Sequence, residues 1–286
     1  MGDIIQASSL IEYVYLHYKP VKITLLTTLP FKKIMSLCPY IEKIEIEERA
    51  SICNIRELFR VKKILNSNFT YIIDFQNSQR TYLYKKFLSK NNNWISTKRK
   101  FHKISALRSQ IEMLQENSIE ITYSFKSKLS WIVADINSLL IKNKIFSKYI
   151  VLLPGSSAQN KFKRWPYFKK LALILMLKQF KVITILGPEE LELEFLMPGL
   201  ILKNLDLGQL SGVINNSYFV FGNDSGPCHI ASFLNKDGLA IFGPSTSAQR
   251  ADIKRGNFDV IESNNLNELN PDEVFKKMIK NLSRSI

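Results

Sequence analysis

Cysteine is scarce: Cys38, Cys53 and Cys228 are the only three in 286 residues. Three scattered thiols cannot build a disulfide framework, and their spacing fits no zinc pattern. Long apolar runs are missing too. The longest, Leu171 to Leu177, is seven residues, far below the ~18 that suggest a membrane span. Met1-Gly2-Asp3 opens with a carboxylate and no basic segment, unlike a secretory signal. Gln6 stands where the N-myristoylation pattern wants Ser or Thr. There is no GxGxxG, no GxxxxGK[ST] and no GxSxG, which excludes a Rossmann fingerprint, a P-loop and a nucleophile elbow. No DxD triplet offers a carboxylate clamp for Mg²⁺. The expectation is a cytoplasmic, soluble protein with reduced thiols and no cofactor or metal of its own.

Glycine is nearly absent from the first half. Of eleven glycines only Gly2 precedes residue 150, and three of ten prolines do. Charge divides at the same place. Residues 1–150 hold 24 basic and 12 acidic side chains, against 16 and 13 in residues 151–286. Two domains with different tasks are expected, 1–148 and 149–286, the last helix packing back on the first. Glycine is needed where backbone turns tightly or approaches a ligand, so the demanding loops belong to the second. Excess positive charge in the first suits an anionic partner. Thirty of the forty basic residues are Lys, spread out in a chain rich in Ile and Asn. That matches AT-rich composition and no nucleic-acid motif, so nucleic acid is not the expected partner.

What is present is an alternation of strands and helices. Apolar spacing predicts helices over 4–18, 55–65, 79–88 and 104–116, with strands at 22–27, 41–47 and 71–75. After residue 148 the pattern becomes regular. Strands are expected at 149–153, 181–186, 218–221 and 239–242, with helices at 165–179, 189–196, 207–215 and 226–234, and one from Pro271. Such alternation implies a parallel sheet covered by helices, an α/β fold. Four strand ends carry Gly, Ser, Asp or Pro: 154–157, 187–190, 222–226 and 243–247. Ligands bind at the carboxyl ends of such strands. A small-residue turn entering a helix presents backbone N–H groups and the positive dipole end, a natural phosphate site. Ser156, Ser157, Ser225 and Gly226 fit that role, with Lys163 as a point charge. Asp224 and His229 complete the densest polar cluster, where Asp224 could instead cap the helix and His229 fill the core.

Six pieces together resemble glycosyltransferase family 9, the ADP-heptose:lipopolysaccharide heptosyltransferase family. They are GDIIQASSLIEYVYLHYKP (2–20), YIIDFQNSQRT (71–81), LLPGSSAQNKFKRWP (152–166), ILGPEE (185–190), FGNDSGPCHIASFL (221–234) and AIFGPST (240–246). The resemblance implies a GT-B fold, two Rossmann-like domains whose parallel sheets face a cleft. It also implies an ADP-sugar donor on the C-terminal domain. The acceptor would be an anionic, Kdo-containing lipid A precursor, met at the inner face of the cytoplasmic membrane through peripheral contact. Asp3 falls on the family's catalytic carboxylate and Ser156 and Ser157 on hydroxyls near the donor phosphates. Lys163 is the motif lysine, Glu190 the match to a ribose-binding acid with Glu189 and Glu192 competing, and Asp224, Ser225, Gly226 and His229 the donor turn. The implied reaction is inverting and metal-independent.

Family members carry a strand before the Gly-Asp turn, which this sequence lacks. An upstream start is expected, the alternative being a non-catalytic remnant that still binds nucleotide sugar. A family 9 transferase with another donor or acceptor is a further alternative.

Overall fold

The computed structural model describes residues 2–51, 54–96, 105–121 and 129–283, the side chains of Asp3, Ala106 and Ala158 excepted. Cys53 lies outside the described residues. The chain divides into two compact units, residues 6–127 and residues 1–5 with 128–286.

The first unit begins inside α1 (Gly2–His17). It continues through β1 (Thr24–Thr27), α2 (Leu29–Met35), β2 (Lys43–Ile46), α3 (Ile55–Leu65) and β3 (Ile72–Ile73). It ends with α4 (Gln79–Leu83), which passes directly into a π-helical turn over Tyr84–Leu88, then β4 (Trp94–Ile95) and α5 (Ala106–Glu116). β1 pairs with β2 and β3 with β4, both parallel. Asn54 caps α3 by accepting from Glu57 N at 3.1 Å. Ser78 and Thr81 close a reciprocal capping box at the start of α4, which satisfies two orphan donors. Val61 and Leu65 of α3 meet Tyr84 and Leu88 of the π turn over Leu26, Ile72 and Trp94.

The second unit carries the larger core. Its elements are α6 (Asn137–Lys142), β5 (Tyr149–Leu153), α7 (Phe168–Leu177), β6 (Lys181–Leu186), β7 (Leu200–Lys203) and α8 (Leu207–Asn216). They continue with β8 (Phe219–Asn223), α9 (Gly226–Phe233), β9 (Gly238–Phe242), α10 (Ala248–Ala251), β10 (Phe258–Glu262) and α11 (Pro271–Leu282). The six strands form one parallel sheet in the order β10-β9-β8-β5-β6-β7. β5, β8 and β9 are buried along their whole length, because helices cover both faces. Trp165, Phe168 and Phe221 pack edge-on or tilted in the core beneath α7 and α11. α11 lies on α7 and β9 within its own unit.

Several details differ from the sequence expectations. α7 starts at Phe168, after a 3-10 segment over Ala158–Lys163, not at Trp165. The expected helix at 189–196 is a 3-10 segment over Pro188–Leu196. β7 and β10 are strands that no pattern had suggested; each is an edge strand with a single partner.

The position of β5 matters most. From it the chain builds outward through β6 and β7, then returns to lay β8 on its other side. Counted from β5, this is the doubly wound order in which ligands bind where the winding reverses, beyond the carboxyl ends of the first and fourth strands. Here those ends are Leu153 and Asn223.

Candidate donor site

The turns after β5 and β8 are neighbours because their strands pair, Leu153 opposite Gly222. Asn223 binds the two turns together. It is fully buried. Its Nδ2 donates to Pro154 O at 2.7 Å, and its Oδ1 accepts from Trp165 N at 3.0 Å. Gly222 allows the close approach behind it: a Cβ there would lie 2.6 Å from Cys228 Sγ and 2.8 Å from Leu153 Cβ. Burial pushes the Cys228 thiol up to about 12, against an opposing pull from Ser225. Cys228 therefore stays a protonated packing residue at neutral pH.

Beyond Asn223 the backbone continues pairing for one residue, Asp224 N donating to Ile241 O at 2.9 Å. This holds the Asp224 carboxylate above the sheet edge. Lys163 Nζ donates to Asp224 Oδ2 at 2.8 Å, and both side chains are mostly buried. The other carboxylate oxygen, Oδ1, is 3.9 Å from His229 Nε2. Asp224 is thus not a cap. The cap position belongs to Ser225, in extended conformation with no side-chain cap bond, followed by Pro227 in the first turn of α9. Gly226 is the first residue of that helix. The N-terminus of α9 accordingly points where Lys163, Asp224 and His229 converge, a place suited to an anion.

The N-terminal residues of α1 belong to the same unit. A Cβ on Gly2 would stand 3.1 Å from the His229 ring, so the backbone just before Asp3 lies against this cluster. The Asp3 side chain itself lies outside the described residues.

A second cluster forms where β6 ends. Gly155 leaves room for the Glu190 carboxylate, which a Cβ at residue 155 would strike at 1.8–2.0 Å. Glu190 Oε2 accepts from Gly187 N at 2.8 Å. Burial raises the Glu190 carboxyl above its ordinary range, outweighing that hydrogen bond and the pull of Arg164. Glu192 faces outward instead, accepting from Arg164 Nη1 at 2.7 Å and pairing with Lys161 at 3.1 Å. The Arg164 hydrogen bond holds its carboxyl down to about 2. Glu189 contributes its backbone carbonyl to Arg164 at 3.4 Å.

The two serines of the β5 turn differ. Ser156 is buried and its hydroxyl is already engaged, donating to Asn160 O at 2.9 Å and accepting from Arg164 Nε at 3.2 Å. Ser157 is exposed and its Oγ accepts from Asn160 Nδ2 at 2.8 Å. Ser157 keeps a donor proton to offer outward, whereas Ser156 shapes the turn.

Two side chains that shape the candidate site escaped the sequence reading, Asn223 and Arg164. Arg164 joins the Ser156 turn to the Glu189–Glu192 turn, as Asn223 joins β5 to β8. Their neighbours Asp224 and Lys163 were the only signal, since nothing local marks a residue whose partners are remote.

Comparison with known proteins gives the family and the fold. The family model described as Glycosyltransferase family 9 (heptosyltransferase) matches residues 58–277. Lipopolysaccharide heptosyltransferase 1 of Campylobacter coli is 26% identical over 298 aligned positions, covering 88% of this chain and 83% of that protein. Among solved structures, the glycosyl transferase family 9 protein of Veillonella parvula superposes with a TM-score of 0.81 at 18% identity, covering 99% of this chain and 94% of that one. The E. coli heptosyltransferase WaaC with ADP gives 0.75 at 17% identity, covering 98% and 97%. Those two share the fold, which is of the GT-B class. No helix among the described residues is long and apolar enough to cross a membrane. The chain belongs to glycosyltransferase family 9, the heptosyltransferases, and is a glycosyltransferase.

Proposed function

We propose that the chain transfers a heptose from ADP-heptose to a Kdo sugar of the lipopolysaccharide inner core, on the cytoplasmic side of the membrane, with inversion and without a metal or cofactor. The observation that carries this reading is the line Lys163–Asp224–His229 at the winding reversal, beside the N-terminus of α9. A nucleoside diphosphate needs positive charge and N–H donors at one place, and this is where the chain gathers them. That WaaC, which shares the fold, was solved with ADP favours adenosine as the nucleoside.

Lys163 has three N–H donors and Asp224 takes one. The remainder aim the ammonium at the diphosphate while Asp224 fixes its position. Glu190, held near Gly155 and Gly187, accepts hydrogen bonds from the ribose hydroxyls. Asp3 acts as general base. It takes the proton of the acceptor hydroxyl as that oxygen forms its bond to the anomeric carbon. The bond from the anomeric carbon to the β-phosphate oxygen breaks, and ADP departs with the electron pair. Lys163 and the α9 N-terminus stabilise the charge that develops on ADP, so positive charge at the leaving group comes from the protein itself.

General-base assistance is worth ~10²–10⁴ in rate. Asp3→Asn should lower kcat by roughly that factor while leaving ADP affinity by calorimetry within about threefold. Equal loss of both would remove Asp3 from the base role. ADP binding by the unaltered chain with no turnover of any ADP-heptose would overturn the transfer itself.

A further inference from the structure

The first unit carries an exposed face that donor chemistry does not use. α3 and the α4–π segment lie side by side. Glu48 N bonds Glu57 near their starts, Glu47 bonds Arg80 and Tyr84, and Asn66 bonds Leu88 O and Lys90 N at their ends. Both turn their inner residues to one shared cluster, Val61 and Leu65 with Tyr84 and Leu88. Their outer residues therefore share the opposite side. There Ile55, Phe59, Tyr82 and Phe87 are each at least 60% exposed, with nothing of this chain among the described residues covering them.

Charge on this face is of one sign. Lys62, Lys63, Lys85 and Lys86 are exposed beside the apolar side chains. Between residues 55 and 96 the sequence has only two carboxylates, Glu57 and Asp74. Both are buried, Glu57 under Arg60 and Asp74 on the N–H groups of Gln76 and Asn77. Aromatic and aliphatic side chains rimmed by lysine, on two helical segments that carry no exposed acid of their own, match a surface that is anionic outside and apolar beneath. An acidic protein or nucleic acid would be met by the lysines but would leave Phe59 and Phe87 in water.

We infer that the outer face of α3 and the α4–π segment docks the enzyme on an anionic phospholipid bilayer. This rests on the proposed lipid-linked acceptor and names the surface through which the chain reaches it. The four apolar side chains insert between headgroups, and the four lysines meet lipid phosphates.

The test is sedimentation of the full chain with phosphatidylcholine vesicles, with and without phosphatidylglycerol. The unaltered chain should partition onto phosphatidylglycerol vesicles and be released by salt. Lys62→Gln/Lys63→Gln/Lys85→Gln/Lys86→Gln should weaken this at least about 20-fold, since each lysine near such a surface is worth about fivefold. Phe59→Ser/Phe87→Ser should weaken it at least about tenfold, with an unchanged melting temperature because both rings are exposed. Absence of binding to anionic vesicles, or equal partition of all three proteins, overturns the inference. So does binding to heparin without binding to vesicles. ADP calorimetry on the same samples separates this outcome from failure of the donor-site reading, because these side chains lie outside the donor cluster.

Discussion

Glu57 in the first unit and Glu190 in the second are both acids drawn into the protein at the edge of a strand-helix layer. Their surroundings differ. Glu57 meets Arg60 through two hydrogen bonds, at 2.6 and 2.8 Å, and accepts a third from Glu48 N. Those bonds hold its carboxyl below the ordinary range, the Arg60 bond most of all. Glu47 also has an arginine partner, Arg80 at 3.2 Å, and accepts from the Tyr84 hydroxyl at 2.8 Å. Glu190 accepts from a backbone N–H, and the nearby guanidinium of Arg164 bonds Glu192 instead. Burial pushes its carboxyl upward. A fold that seals an acid with arginine gains stability from it. A fold that buries an acid and spends the arginine elsewhere keeps its acceptor capacity for something outside the chain. On the proposed donor-site reading, the contrast sets Glu57 and Glu47, which serve the fold, against Glu190, which is held for the ribose.

The comparison is sharpest at Asn223, where structure and site coincide. Asn223→Ala leaves Pro154 O and Trp165 N unmatched in the interior, at a cost of about 1–3 kcal/mol for each orphaned group. We expect about 2–4 kcal/mol lost in chemical denaturation, and ADP affinity lowered because the β5 and β8 turns no longer share a pin. Full stability with unchanged ADP binding would reduce Asn223 to a bystander.

Glu57→Gln should cost less, about 1–2 kcal/mol, because Arg60 retains partial solvent access and one amide oxygen still accepts. The pH dependence follows from the sign of the shift. Glu57 has a folded value below the ordinary 4.5. Its contribution is fully present above the unfolded value and disappears as pH falls through the lowered one. The variant should therefore lose stability at pH 7 but show a shallower decline on acidification. Parallel curves for the two proteins would contradict the pairing.

Much of this was legible in the sequence, for a physical reason. β5, β6, β8 and β9 are buried almost throughout, so they read as short, mainly apolar runs. β10 did not, since Phe258-Asp259-Val260-Ile261-Glu262 is an edge strand that carries its own charges. The 3-10 segments at 158–163 and 188–196 were hidden because apolar spacing does not separate one turn geometry from another. Site residues followed the same logic. Asp224, Ser225, Gly226 and His229 are chemically dense within a few positions. Asn223 works through partners 58 and 69 residues away, and that pairing exists only after the sheet has formed.

Glu190→Gln has the smallest expected effect on stability and the most informative sign. The folded protein holds the Glu190 carboxyl above its unfolded value, so folding takes up a proton there. Stability from this group falls as pH rises from the unfolded value through the raised folded one, and stays reduced above it. Glutamine carries no charge to bury, and its Oε1 can still accept from Gly187 N, which in the parent donates to the carboxylate at 2.8 Å. The variant should match or exceed the parent at pH 7, within about 0.5 kcal/mol, and the pH-linked decline should vanish. ADP affinity should nonetheless fall, because a neutral amide accepts hydrogen bonds from ribose hydroxyls more weakly than a carboxylate. Stability kept with affinity lost is the signature of an acid maintained for a ligand. A loss of stability comparable to that of Glu57→Gln, with ADP binding intact, would erase the distinction between the two carboxylates.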